Sequence, residues 1–105
     1  MIAEITSAEQ LAAYDSAVVC FTNPLTCAPC KMLEPHYKNV AGVLGDEIPF
    51  LEVNVLDHMD IAVDYGVMGT PTIVFIDGED RSTVAARTTI PLVDEIKSLL
   101  YASSR

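Results

Sequence analysis

Two periods of apolar residues run along this chain and divide it into alternating helices and strands. "TSAEQLAAY" carries a capping box in either of two registers, Thr6 with Glu9 or Ser7 with Gln10, and predicts a short helix. "AVVCF" is a brief run of small, β-branched and aromatic residues, which predicts a buried strand. Leu33, Tyr37, Val40 and Leu44 then recur at steps of 4, 3 and 4, the spacing of one helix face. Pro35 falls inside that helix and is expected to kink it, because it lacks an N–H and crowds the preceding turn.

"PFLEVNV" alternates and is rich in β formers, so it reads as a second strand. A short helix over Asp60 to Tyr65 should stop at Gly66, and "PTIVFID" is a third strand. "DGED" is a turn feeding a fourth strand near Ser82 to Arg87. The last helix carries Pro91 in its first turn, with Leu92, Val93, Ile96, Leu99 and Leu100 as its apolar stripe. The resulting order, α-β-α-β-α-β-β-α, predicts an α/β fold. Parallel crossovers in the first half and a hairpin in the second imply a mixed central sheet with helices on both faces.

Composition narrows the class. At 105 residues the chain is expected to form one domain, residues 1–105, as a monomer. No apolar run approaches the roughly 20 residues that span a bilayer. "MIAEITSAEQ" has neither a basic flank nor an apolar core, so no secretory signal is read there. Three cysteines, an odd number, do not suit a disulfide-stapled scaffold. A reducing, cytoplasmic setting is expected, where a close cysteine pair is catalytic or metal-binding more often than structural. The net charge of −9 opposes binding to nucleic acid or an anionic membrane and leaves proteins as the large partners. Solubility alone is the plainer account of the same charge.

"TCAPCK" is the candidate for chemistry. Cys27 falls where the first predicted strand gives way to a helix, with Pro29 suited to the first helical turn. The free N–H groups and positive dipole end of that helix favour a thiolate on the N-terminal cysteine. Cys30 is one turn on, at a separation a disulfide accepts, and Lys31 adds a nearby positive charge. The expected roles are Cys27 as attacking thiolate and Cys30 as resolving thiol. A metal site needs about four ligands. Its further candidates, Cys20, His36 and His58, form no second close pair, so no metal is expected. An inert structural disulfide is poorly served by a surface-facing pair at a helix start. In "GVMGTPTIVF" Pro71 precedes a strand; from spacing alone an ordinary trans bond is expected, since only about 5–6% of X-Pro bonds are cis.

Taken together, these pieces resemble the thioredoxin family over nearly the whole chain. A strand ending at Phe21, "CAPCKMLEP" opening a helix, "VNVLD" closing a strand and "YGVMGTPTIVFIDG" carry the similarity. Cys27, Pro29, Cys30, Lys31, Met32 and Pro35 match the family pattern, and Pro71, preceded by Thr70, falls on its cis-proline. The resemblance implies a thioredoxin fold and reduction of protein disulfides without a bound cofactor, with recharging by a thioredoxin-reductase-like electron donor. It also implies that Thr70 and Pro71 face the cysteines and bind substrate backbone, with Thr26, Ala28 and Pro29 completing the substrate contact.

The departures bear on rate and partner choice. The resemblance places the family's buried aspartate at Phe21, its two tryptophans at Asn23 and Thr26, and a lysine near the aspartate at Glu52. The glycine between the cysteines is Ala28, and a glycine of the late substrate-facing loop becomes Thr88 or Thr89. Loss of the acid and its partner predicts a more stable but slower reductant, because the acid is thought to help Cys30 lose its proton. The altered rim, Asn23 to Thr26, implies different partners or neutral change in a general reductant. Two other readings stay open: a binding module with vestigial redox activity, and an oxidant or isomerase. Cys20 reads as a small buried hydrophobe, and His36 and His58 as solvated surface groups. Met59 and Met68 are candidates to frame a partner groove, while Tyr65 and Tyr101 read as packing residues.

Overall fold

The computed structural model describes residues 1–103; Ser104 and Arg105, the end of the expected 1–105 domain, lie outside the described residues. The elements run β1 (Ile2–Glu4), α1 (Ala8–Ala12), β2 (Ser16–Thr22), α2 (Ala28–Leu44), β3 (Phe50–Asn54), α3 (Met59–Asp64), β4 (Thr72–Asp77), β5 (Asp80–Val84) and α4 (Thr89–Ser103). The expected order is recovered with one strand added at the front. β1 is only three residues long, too short for a period to show, and its pairing beside β3 makes it a strand. At α1 the Ser7–Gln10 register wins: the Ser7 hydroxyl accepts from the Gln10 N–H at 3.1 Å. The Gln10 side chain reaches back to the Thr6 N–H at 2.8 Å.

The sheet order is β1-β3-β2-β4-β5. β1, β3 and β2 are mutually parallel, while β4 and β5 run antiparallel, so the sheet is mixed as expected. Gly78 has φ +61° in the two-residue loop between β4 and β5, the position where a tight hairpin favours glycine. β5 starts and ends earlier than expected. Ala85 and Ala86 form a loop, and the Glu95 carboxylate of α4 accepts their backbone N–H groups at 2.9–3.1 Å.

Strand alternation sorts the core into two layers. Val18, Cys20, Phe50, Ile73 and Phe75 face α2 and α4, whereas Val19, Phe21, Leu51, Val53 and Val74 face α1 and α3. All four periodic residues of α2 are buried, and the helix runs unbroken through Pro35. Tyr37 ties α2 across two strands, its hydroxyl lying 3.1 Å from the Val18 carbonyl and 2.7 Å from that of Leu51. On the other side Tyr65 packs against Phe21 with Arg81 stacked 3.7 Å over its ring. Tyr101, expected to pack, stands 78% exposed. Among the described residues no helix is long and apolar enough to cross a membrane.

Candidate active site

β2 delivers the chain to the site through a turn held by Asn23. Its side-chain oxygen accepts the N–H groups of Leu25 (3.0 Å) and Thr26 (3.1 Å), and its amide donates to the Thr26 hydroxyl at 2.9 Å. Asn23 is therefore the clamp of this loop. Thr26 and Leu25 are exposed beside Cys27, with the Thr26 hydroxyl engaged inside the loop.

Cys27 is the N-cap of α2, and Pro29 sits in the first turn as its fixed φ allows. The Cys30 N–H donates to the Cys27 sulfur at 3.1 Å. Cys27 and Cys30 are joined in a disulfide with Cα atoms 5.2 Å apart. The two cysteines are covered almost equally, 8% and 6% exposed, so exposure does not distinguish them. The helix end does. On reduction, a charge on Cys27 faces the N–H of Cys30 and the positive pole of a 17-residue helix, an arrangement that favours the thiolate on that sulfur. Ala28 and Pro29 are exposed beside the pair.

Antiparallel pairing of β2 with β4 brings the second predicted segment to the same place. The Thr70–Pro71 bond is cis, against the expectation from spacing and in line with the resemblance. The Thr70 carbonyl lies 3.5 Å from the Cys27 sulfur. Pro71 is buried and Thr70 half-buried. Two further bonds anchor this loop: the Thr72 hydroxyl donates to the Gly69 carbonyl at 2.6 Å, and Arg87 donates to the Pro71 carbonyl at 3.0 Å. Arg87 and Thr88 then line a groove of about 240 Å³ with Pro29, Met32, Leu33 and His36. Thr88, not Thr89, is the late-loop residue in this groove. Thr89 is tied to His36, whose Nδ1 accepts the Thr89 N–H at 3.1 Å and lies 2.8 Å from its hydroxyl. His36 is thus a half-buried cap at the start of α4 rather than a solvated group.

Behind the pair lies a cavity of about 410 Å³, lined by Cys20, Cys30, Lys31, Tyr37 and Glu52 among others. Cys20 and Thr22 face this cavity from β2. Phe21 points to the opposite face, fully buried against Tyr65, so the position expected to hold the family's acid is one residue off. Burial, reinforced by Glu52 and opposed by Arg87, pushes the Cys20 thiol up to about 12 and keeps it uncharged. Glu52 is half-buried at the same cavity. Desolvation first, then the charges of Glu34 and Glu4, raise its carboxyl above the usual range, with Lys38 opposing. Among the described residues no group of three or more His, Cys, Asp or Glu is placed to hold a metal.

A cysteine couple at a helix start, faced by a cis-proline loop on a mixed sheet, is a thiol–disulfide oxidoreductase centre. The chain belongs to the thioredoxin family: the family model for thioredoxin matches residues 3–98. It is 36% identical over 96 residues to protein disulfide-isomerase of Oryctolagus cuniculus, a match covering 89% of this chain and 19% of that protein. The chain thus spans about a fifth of that relative. It is 38% identical over 80 residues to thioredoxin of Mycoplasma genitalium, covering 73% of this chain and 78% of that one. The solved thioredoxin of Malassezia sympodialis superposes with a TM-score of 0.79 at 24% identity, over all of this chain and 92% of that one.

Proposed function

We propose that this single Cys-Ala-Pro-Cys domain reduces disulfides in protein substrates, with Cys27 as the attacking thiolate and Cys30 as the resolving thiol. The observation that carries the reading is the Cys30 N–H aimed at the Cys27 sulfur at the N-cap of α2, which singles out one sulfur to hold the charge. The Thr70 carbonyl beside that sulfur supports a substrate backbone lying along the Thr70–Pro71 loop, with Thr26, Ala28 and Pro29, exposed beside the cysteines, completing the contact. Electrons come from a thioredoxin-reductase-like donor and pass through the two thiols without a bound cofactor, the domain acting as a monomer in a reducing cytoplasm.

A redox titration of the couple against glutathione buffers tests this reading. A potential more reducing than the glutathione pool is expected; an oxidising value would overturn it. Cys30→Ser should accumulate mixed disulfides with its substrates, whereas a pure binding module would hold its partners after both cysteines are lost. The likeness to the disulfide-isomerase favours a second reading, in which the same centre reshuffles disulfides. Faster recovery of activity by a scrambled disulfide-bonded substrate, at an oxidising potential, would select it.

A further inference from the structure

Cys30, read above as the resolving thiol, must lose a proton while only 6% exposed, and ionisation in so dry a position needs a nearby acceptor. Its cavity supplies few. Lys31 and Lys38 are cations and accept nothing. The Tyr37 hydroxyl is committed to strand carbonyls, and burial raises its pKa far above the usual value. Cys20, pushed up to about 12, supplies no thiolate near neutral pH. Two carboxylates remain. Glu34 is 61% exposed and is paired directly with Lys38 at 3.4 Å on the solvent side. Glu52 is half-buried on β3, directly opposite Cys20 in the β2–β3 register, and shares the cavity wall with Cys30.

We propose that the Glu52 carboxylate is the proton acceptor for Cys30 during resolution, acting across this cavity from the strand beside the one that leads into the pair. The Cys30 proton passes to Glu52, directly or through water, for which the cavity has ample room. The Cys30 thiolate then attacks the Cys27 sulfur of the mixed disulfide. The Cys27–substrate S–S bond breaks, and its electron pair leaves on the substrate sulfur, which takes up a proton from Glu52 or solvent. The substrate ends as a dithiol and the domain as the Cys27–Cys30 disulfide. Glu52 is thus a base that a partly dry environment makes stronger. Glu4 on β1 and Glu34 on α2 raise its proton affinity further, and Lys38 lowers it.

The test is single-turnover reduction of a disulfide-bonded fluorogenic peptide by the full chain, with mixed-disulfide formation and resolution timed separately over roughly pH 5 to 9. Glu52→Gln is expected to slow resolution about ten- to a hundredfold near neutral pH, with the deficit shrinking as Cys30 ionises unaided at alkaline pH. Formation should stay within about twofold, Glu52→Asp should recover part of the loss, and Glu34→Gln should resolve at nearly the parent rate. Resolution by Glu52→Gln at the parent rate at every pH would overturn the inference, as would a loss carried by Glu34→Gln instead. If Cys30→Ser forms no mixed disulfide at all, the functional reading falls, and this inference with it.

Discussion

The two faces of the sheet are built from the same strands, yet only one of them does chemistry. The α1/α3 face closes over Val19, Phe21, Leu51, Val53 and Val74, with no cysteine or carboxylate in its core. The α2/α4 face is equally apolar around Val40, Leu44 and Ile96, but its end nearest Cys30 carries Cys20, Tyr37 and Glu52. Because successive residues of a strand point to opposite faces, one position decides which environment a side chain enters. The family's acid, looked for at Phe21, would enter the dry face; a carboxyl able to serve Cys30 must enter the other. Glu52 does so from the next strand.

The largest expected effect breaks this comparison directly. Phe21→Asp removes a fully buried ring from its contact with Tyr65 and places a charge in an apolar layer. A loss of about 4 kcal/mol or more in urea unfolding is expected, from the cavity and the unpaired carboxyl together. Cys20→Asp enters the polar cavity instead and should cost about 1–3 kcal/mol. Equal losses for the two variants would show that the faces do not differ as described.

Much of this division was legible in the residue pattern, and the failures have physical causes. The buried face of α2 follows from a 3.6-residue period, and Cys27, Cys30, Thr70 and Pro71 stand in short motifs. β1 has three residues, too few to show an alternation, so pairing alone makes it a strand; β5 is announced by its turn, but Asp-Arg-Ser-Thr-Val has no apolar alternation to fix its bounds. The resemblance places the family's acid at Phe21, next to Cys20, and a shift of one residue exchanges the faces. The alternation of "AVVCF", with Val18 and Cys20 on one side, already held the correction. The bracing role of Arg87 and the capping role of His36 are not legible in the sequence because their partners are distant: Pro71 lies 16 residues from Arg87, and Thr89 lies 53 from His36.

Those two long-range contacts sharpen the comparison further, since both brace the chemical face. Arg87→Met removes the donor to the Pro71 carbonyl while keeping an apolar wall to the groove. KM for a protein substrate should rise about fivefold with kcat little changed, the equivalent of about 1 kcal/mol of lost positioning. An unchanged KM would remove Arg87 from the loop's support. His36→Ala leaves the Thr89 N–H without its acceptor at the start of α4, so a loss of about 1 kcal/mol in thermal or urea unfolding is expected.

The smallest effect is also the one that separates stability from rate. Burial and neighbouring acids raise the Glu52 carboxyl above its ordinary value. Between the unfolded and folded values the native protein therefore holds more protons than the unfolded chain. Stability from this group is full at acidic pH, declines as pH rises from the usual glutamate value through the raised one, and is constant above it. Glu52→Gln has no charge to desolvate. Its stability should match the parent at acidic pH and exceed it progressively through that window, and subtracting the two urea titrations cancels the other carboxylates. The same substitution is expected to slow resolution, so a variant that is more stable and slower at neutral pH would mark Glu52 as a charge kept in a dry place for its chemistry. A difference curve flat with pH, or one falling as pH rises, would show that the cavity does not penalise that charge.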